Sequence, residues 1–263
     1  MEVHHHAHHP KKWKEYITEF FMLFLAVSLG FLAENIREGY VEKERSHELM
    51  TSFMKDVELN LIFVDSLIKG DKKAMLLCDS IALYIIKTPK DIDLKYVYEL
   101  PSTSYRYLSN NDTYDQMKSS GSLRYIKDSV LLRKMIEYSN LSKATEFRSV
   151  TQEYDYTSHE FQNTLNKYMP TEIAANKRAR YIFNFPSRFI ADSNDSRFYQ
   201  ETRDLVLNKK FLLANDKIVE FKQDMVPVIY RKTSLISSTT NFLYMTKHSA
   251  EDLLGYYKEH YQH

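Results

Sequence analysis

Glu19–Arg45 reads EFFMLFLAVSLGFLAENIREGYVEKER, and the fold class turns on its first half. From Phe20 to Ala33 there is no charge and no helix breaker other than Gly30, and Glu19 and Glu34 close the run. As a helix the run covers about 21 Å, short of a hydrocarbon core of about 30 Å. Three readings compete. A cleaved signal peptide fits Lys11, Lys12 and Lys14 ahead of the run, but a cut before Glu34 puts bulky Phe31 at the −3 position. A buried core helix of a soluble protein should show a polar face, and this run has none. A membrane span extended by its flanks uses Trp13, Tyr16 and Ile17 before the run and Ile36 and Tyr40 after it. The span reading is adopted, over residues 16–36, with the signal peptide as runner-up.

The lysines before the span favour a cytoplasmic N-terminus, and Arg37, Lys43 and Arg45 weaken that bias without removing it. Residues 1–15 are then a His/Lys-rich cytoplasmic tail. Residues 37–263 form a periplasmic domain on a single-pass protein of the inner (cytoplasmic) membrane.

Working outward, the composition calls for helix. Only 5 Gly and 6 Pro punctuate the 263 residues, and alternating strand patterns bounded by Gly-rich turns are almost absent. From Met50 a seam appears at Met54, Val57, Leu61, Val64 and Ile68, the alternating four-three spacing of a coiled coil. Nothing interrupts helix between the span and Gly70, so the membrane helix is expected to run on into the domain. Gly70 and Asp71 are expected to kink or end it, with helix resuming from Lys72 until Pro89 stops it. Residues 90–112 read as a surface connection. Gly121 then closes a short helix, and Asp128 or Ser129 caps a long one. Its apolar positions are Leu131, Met135 and Tyr138, then Phe147, Val150, Tyr154, Thr157, Phe161, Leu165 and Tyr168. From Ser196 helical spacing returns, with apolar Phe198, Leu205, Leu207, Phe211, Leu212, Ile218, Phe221 and Met225. A kink is expected at Pro227 in the final long helix, and an amphipathic piece, Ala250 to Tyr261, ends the chain. The expectation is an all-α chain: one transmembrane helix continuing into an elongated up-and-down bundle.

The stretch TYDQMKSSGSLRYIKDSVLLRKMIEYSN, Thr113 to Asn140, carries the pattern Lys118-x-Ser120-Gly121-x-Leu123-x-x-Ile126 before a helix with Tyr138. With the opening quoted above, it resembles a family of uncharacterised single-span envelope proteins common in Bacteroidota, which carries a domain of unknown function. The resemblance implies an envelope location and no mechanism. The His-rich start and the basic middle region depart from it.

Candidate sites are few. His4, His5, His6, His8 and His9 offer imidazoles to a transition metal, but a solvated, metal-sticky tail is the plainer reading. Lys177, Arg178 and Arg180 with Tyr181, Phe183 and Phe185 form a basic-aromatic patch, suited to an acidic surface or to a loop plugging the bundle. Stepping four and three from Glu19 meets Ala26, Gly30 and Ala33, a small-residue stripe that lets another membrane helix approach. Cys78 cannot form an internal disulfide and sits among apolar neighbours as a core residue. No His-Glu-x-x-His, Gly-x-Ser-x-Gly or phosphate-loop motif occurs, so neither an enzyme nor a cofactor is expected. A net charge of +1 gives no general attraction for nucleic acid.

The function expected is a membrane-anchored scaffold or accessory subunit of an envelope complex. Its partners are the lipid bilayer and either copies of itself or other membrane-protein subunits. The alternative is a ligand-sensing bundle that signals through a partner subunit, since a cytoplasmic part of 15 residues holds no output domain.

Overall fold

A computed structural model describes residues 13–98, 100, 106–175 and 210–261. Helix α1, Trp13–Lys87, is unbroken over 75 residues, roughly 110 Å at 1.5 Å per residue. Its first half is wholly exposed and its second half is buried along one stripe, beginning at Ser46. The stripe includes the expected Met50, Met54, Val57, Val64 and Ile68; Leu61 is half-buried. It is wider than the seam read from sequence, because Phe53, Asn60 and Leu67 also turn inward. The break expected at Gly70–Asp71 does not occur. Asp71 falls on the buried register of Val57, Val64, Cys78 and Ile85, where packing outweighs its weak helix propensity. The helix ends two residues before Pro89, as its missing N–H requires.

The chain then descends beside α1. It passes through the short helix α2 (Leu94–Val97), then Tyr107, and then α3 (Asp112–Ser120). These segments meet three successive parts of the core, running from Ile85 to Val64 to Met50 of α1. Polar contacts pin the irregular part. Asn60 donates to the Asn110 carbonyl (2.9 Å) and accepts from Asn110 N–H (3.0 Å), while Tyr107 N–H donates to Ser149 Oγ (2.9 Å).

Gly121 closes α3 at φ 73°, and a 3₁₀ turn, Ser122–Tyr125, follows. Helix α4, Ser129–Phe147, is capped by Asp128, whose carboxylate accepts from Val130 and Leu131 N–H. The helix then widens into two π-helical stretches, Arg148–Tyr154 and Thr157–Phe161, before α5, Gln162–Asn166. Each i→i+5 bond adds a residue to the turn and rotates the inward face. Beyond Thr145 a buried row runs through Ser149, Glu153, Thr157, Phe161 and Leu165, each four apart, with Tyr156 and Tyr168 buried beside it. The register expected from the apolar residues is corrected here: Phe147 is exposed and Val150 and Tyr154 are only half-buried.

After the short helix α6 (Thr171–Ala174), the final helix α7, Ile218–Tyr261, runs back along α1 and α4 for 44 residues. Pro227 lies inside it without ending it. The result is an all-α, up-and-down bundle. Among the described residues there is no β-strand, only an isolated bridge between Asp93 and Leu212.

Gly121 has open space around its Cβ position, so any substitution cost there comes from the backbone alone. Gly121→Val is expected to lower stability by about 1–2 kcal/mol and Gly121→Asn by clearly less. Denaturant melts of both variants check this, and equal stability of the Val variant and wild type contradicts the cap.

Candidate functional site

Three charged side chains meet in the upper half of the bundle, one from each long helical run. Asp71 comes from α1, Glu153 from the first π stretch and Lys232 from α7; each is at most 2% exposed. All three occupy positions that the helix registers reserve for core residues. Asp71 shares its register with Val64 and Cys78, and Lys232 falls between Ile229 and Ile236 on the buried face of α7. Glu153 lies about five ordinary helical turns beyond buried Met135, on the same inward face, within the first π stretch.

Lys232 Nζ donates to Thr157 Oγ1 at 3.2 Å and lies 5.7 Å from the centre of the Phe161 ring. The Thr240 hydroxyl lies 3.0 Å from Asp71 Oδ2 and 2.8 Å from the Ile236 carbonyl, so its one proton is shared between the two acceptors. Both carboxylate oxygens of Glu153, and the Thr239 hydroxyl, lack a hydrogen-bond partner of good geometry among the described residues. The nearby Thr239 hydroxyl and then the charge of Lys232 favour the ionised Glu153. Burial raises the Asp71 carboxyl from its ordinary 3.8 to about 6, with Thr240 and Lys232 pulling the other way. Burial likewise raises Glu153, reinforced by the charge of Asp71, and lowers Lys232 against the pull of Cys78, Glu153 and Asp71. The Cys78 thiol is pushed up by the same burial, so it stays a protonated core residue.

This centre can exchange a proton among buried groups. π-Helical turns recur at functional sites, and buried carboxylates with raised pKa are the usual seat of proton-linked behaviour. Sequence reasoning missed all three residues. Asp71 beside Gly70 resembled a helix stop, and the signal that could have found it was a charge on the continuing four-three register.

The membrane stripe is the second candidate. Glu19, Ala26, Gly30 and Ala33 lie on the exposed apolar half of α1, and a Cβ added at Gly30 meets nothing within 4 Å. Glu34 pairs with Arg37 at the end of the run, 2.5 Å apart. Helix α1 alone among the described residues is long and apolar enough to cross a membrane, and none of its most apolar window is buried. It fits a single-pass membrane protein.

His4, His5, His6, His8 and His9 lie outside the described residues, as does the basic-aromatic patch of Lys177, Arg178, Arg180, Tyr181, Phe183 and Phe185. Among the described residues no group of His, Cys, Asp and Glu is placed to hold a metal. No protein-family model, curated protein or solved structure matches the chain.

The centre predicts a pH dependence. Folded Asp71 binds its proton more tightly than the unfolded chain does. Its stabilising contribution is complete below 3.8 and is lost as pH rises through about 6. Lys232→Met removes the cation that both carboxylates face, and is expected to cost about 3 kcal/mol or more near pH 7, below the value of about 8 to which burial lowers Lys232 itself. Near pH 5, where the carboxyls retain protons, the loss should be smaller. Melting curves of the solubilised protein at the two pH values check this; a loss independent of pH contradicts it.

Proposed function

We propose that the chain is a non-enzymatic, membrane-anchored helical scaffold or accessory subunit of an envelope complex. In this reading residues 16–36 span the inner membrane, residues 1–15 lie in the cytoplasm and residues 37–263 form a periplasmic bundle. The observation that carries it is the wholly exposed apolar start of a helix whose later turns are buried in a packed core. An apolar surface of that extent is stable in lipid and costly in water. Lys11, Lys12 and Lys14 support the orientation, and the resemblance to single-span envelope proteins supports the location.

The partner proposed for the span is a second membrane helix, of another copy or of another subunit, laid along Glu19, Ala26, Gly30 and Ala33. The small side chains permit close approach, and Glu19 at the hydrocarbon edge gains from a partner or from headgroup water.

The alternative, a sensing bundle that signals through a partner subunit, draws support from the buried centre of Asp71, Glu153 and Lys232. A scaffold has no need of three charges in its core, and they cost stability unless fully compensated. Asp71→Asn with Glu153→Gln separates the readings. A sensor loses its response in the partner while remaining assembled, and a scaffold keeps all its interactions.

The mature protein should retain its N-terminal residues by intact mass, and its C-terminus should be cut by protease added to the periplasmic side. A mature chain starting near Phe31 or Glu34 establishes a signal peptide instead. Ala26→Cys or Gly30→Cys should cross-link in native membranes, and Gly30→Leu should weaken detergent-resistant association. Absence of cross-links at both positions leaves the span a monomeric anchor.

A further inference from the structure

Where α1 leaves its exposed half and enters the bundle, the structure holds an open pocket of about 220 Å³. It lies between the entry of α1, the segment before α4 and the last turn of α7. Buried Met50 and half-buried Ile126 form its floor, and exposed Lys43, His47 and Lys127 form its rim. Among the described residues neither lysine, nor the His47 ring, has a hydrogen bond or ion pair. The one carboxylate lining the pocket, Asp128, is fully engaged. It accepts from Val130 and Leu131 N–H and from the hydroxyls of Tyr256 (2.9 Å) and Tyr261 (3.0 Å). Asp128 therefore ties up neither lysine, and the lining carries a surplus of positive charge.

The position of this pocket is set by the helix. Lys43 lies seven residues beyond Ile36, about 10 Å along the axis, while the headgroup layer extends roughly 5–7 Å beyond the hydrocarbon. Side chains on a helix lean toward its N-terminus, which here is the direction of the bilayer. The four-carbon stem of Lys43 and the ring of His47 thus lean toward the headgroups, and the pocket lies where α1 enters the bundle.

We propose that this pocket binds the phosphate-bearing headgroup of an anionic phospholipid from the leaflet in which α1 emerges. Lys43 and Lys127 hold the phosphate at the rim of the pocket, the part of its lining nearest the bilayer. The lipid would fix the tilt of the bundle over the membrane. The proposal rests on the reading of residues 16–36 as a span.

The test uses the full chain in nanodiscs of phosphatidylcholine containing a minor share of phosphatidylglycerol, with bound lipid measured after re-extraction in mild detergent. Wild type should retain phosphatidylglycerol enriched on the order of tenfold over its bulk share, the size expected of two lysines at a surface. K43E/K127E should bring that ratio to about one, with the milder K43Q/K127Q intermediate and both melting as wild type. K69E/K73E, on exposed positions of α1 far from the pocket, should leave it unchanged. Equal enrichment in wild type and K43E/K127E overturns the site. So does displacement of the lipid by inorganic phosphate alone, which would make it a free-phosphate site. If the chain inserts in the nanodisc and retains no anionic lipid, the pocket proposal fails while the anchor stands. Failure to insert removes both.

Discussion

Backbone N–H and C=O groups inside a helix satisfy one another, so one helix can lie in hydrocarbon at one end and in a protein core at the other. The architecture depends on that property of α1. Its apolar side chains point outward all round over Phe20–Ala33 and inward along one stripe beyond Ser46, with no break in the backbone between. The other long helices build on this second half. Helix α7 packs antiparallel to it, α4 closes the third side, and the segment from Ile92 to Met117 descends beside it. The exposed apolar half and the bundle are therefore joined by helix, with no linker between them.

The core that this rod enters is not uniform. Near the membrane it is built of Met50, Phe53, Tyr138 and Leu253, with rings at close centroid distances such as Phe53 and Tyr114 at 5.6 Å. Farther out it contains Asp71, Glu153 and Lys232. Three charges there cost stability unless they are fully compensated. The first π-helical stretch carries Glu153, and both stretches keep Thr157 and Phe161 facing the core.

The helical period, the seam from Met50 to Ile68, the stop before Pro89 and the caps at Gly121 and Asp128 were legible because each rests on local chemistry. Gly tolerates positive φ, Asp accepts from helix N–H groups, and Pro lacks a donor. The ionic centre was not legible, for two physical reasons. Asp71 beside Gly70 carries the local propensity of a helix end, and only tertiary packing overrides it. The inward positions Ser142, Ser149 and Glu153 are polar, so following apolar residues alone led from Tyr138 to Phe147, Val150 and Tyr154, whereas the helical period itself leads to Ser149 and Glu153. Of the site residues expected from sequence, the membrane stripe is exposed on α1, while the histidine tail and the basic-aromatic patch fall outside the described residues.

The central claim is that one rigid helix joins membrane and bundle. Spin labels on Val27→Cys and Leu59→Cys, both exposed on α1, test it with Cys78 replaced by Ala and the protein in a lipid nanodisc. A continuous helix predicts a narrow distance distribution centred at about 48 Å, from 1.5 Å per residue. A broad distribution, or a centre shorter by 10 Å or so, would mean a hinge within that stretch and would contradict the account.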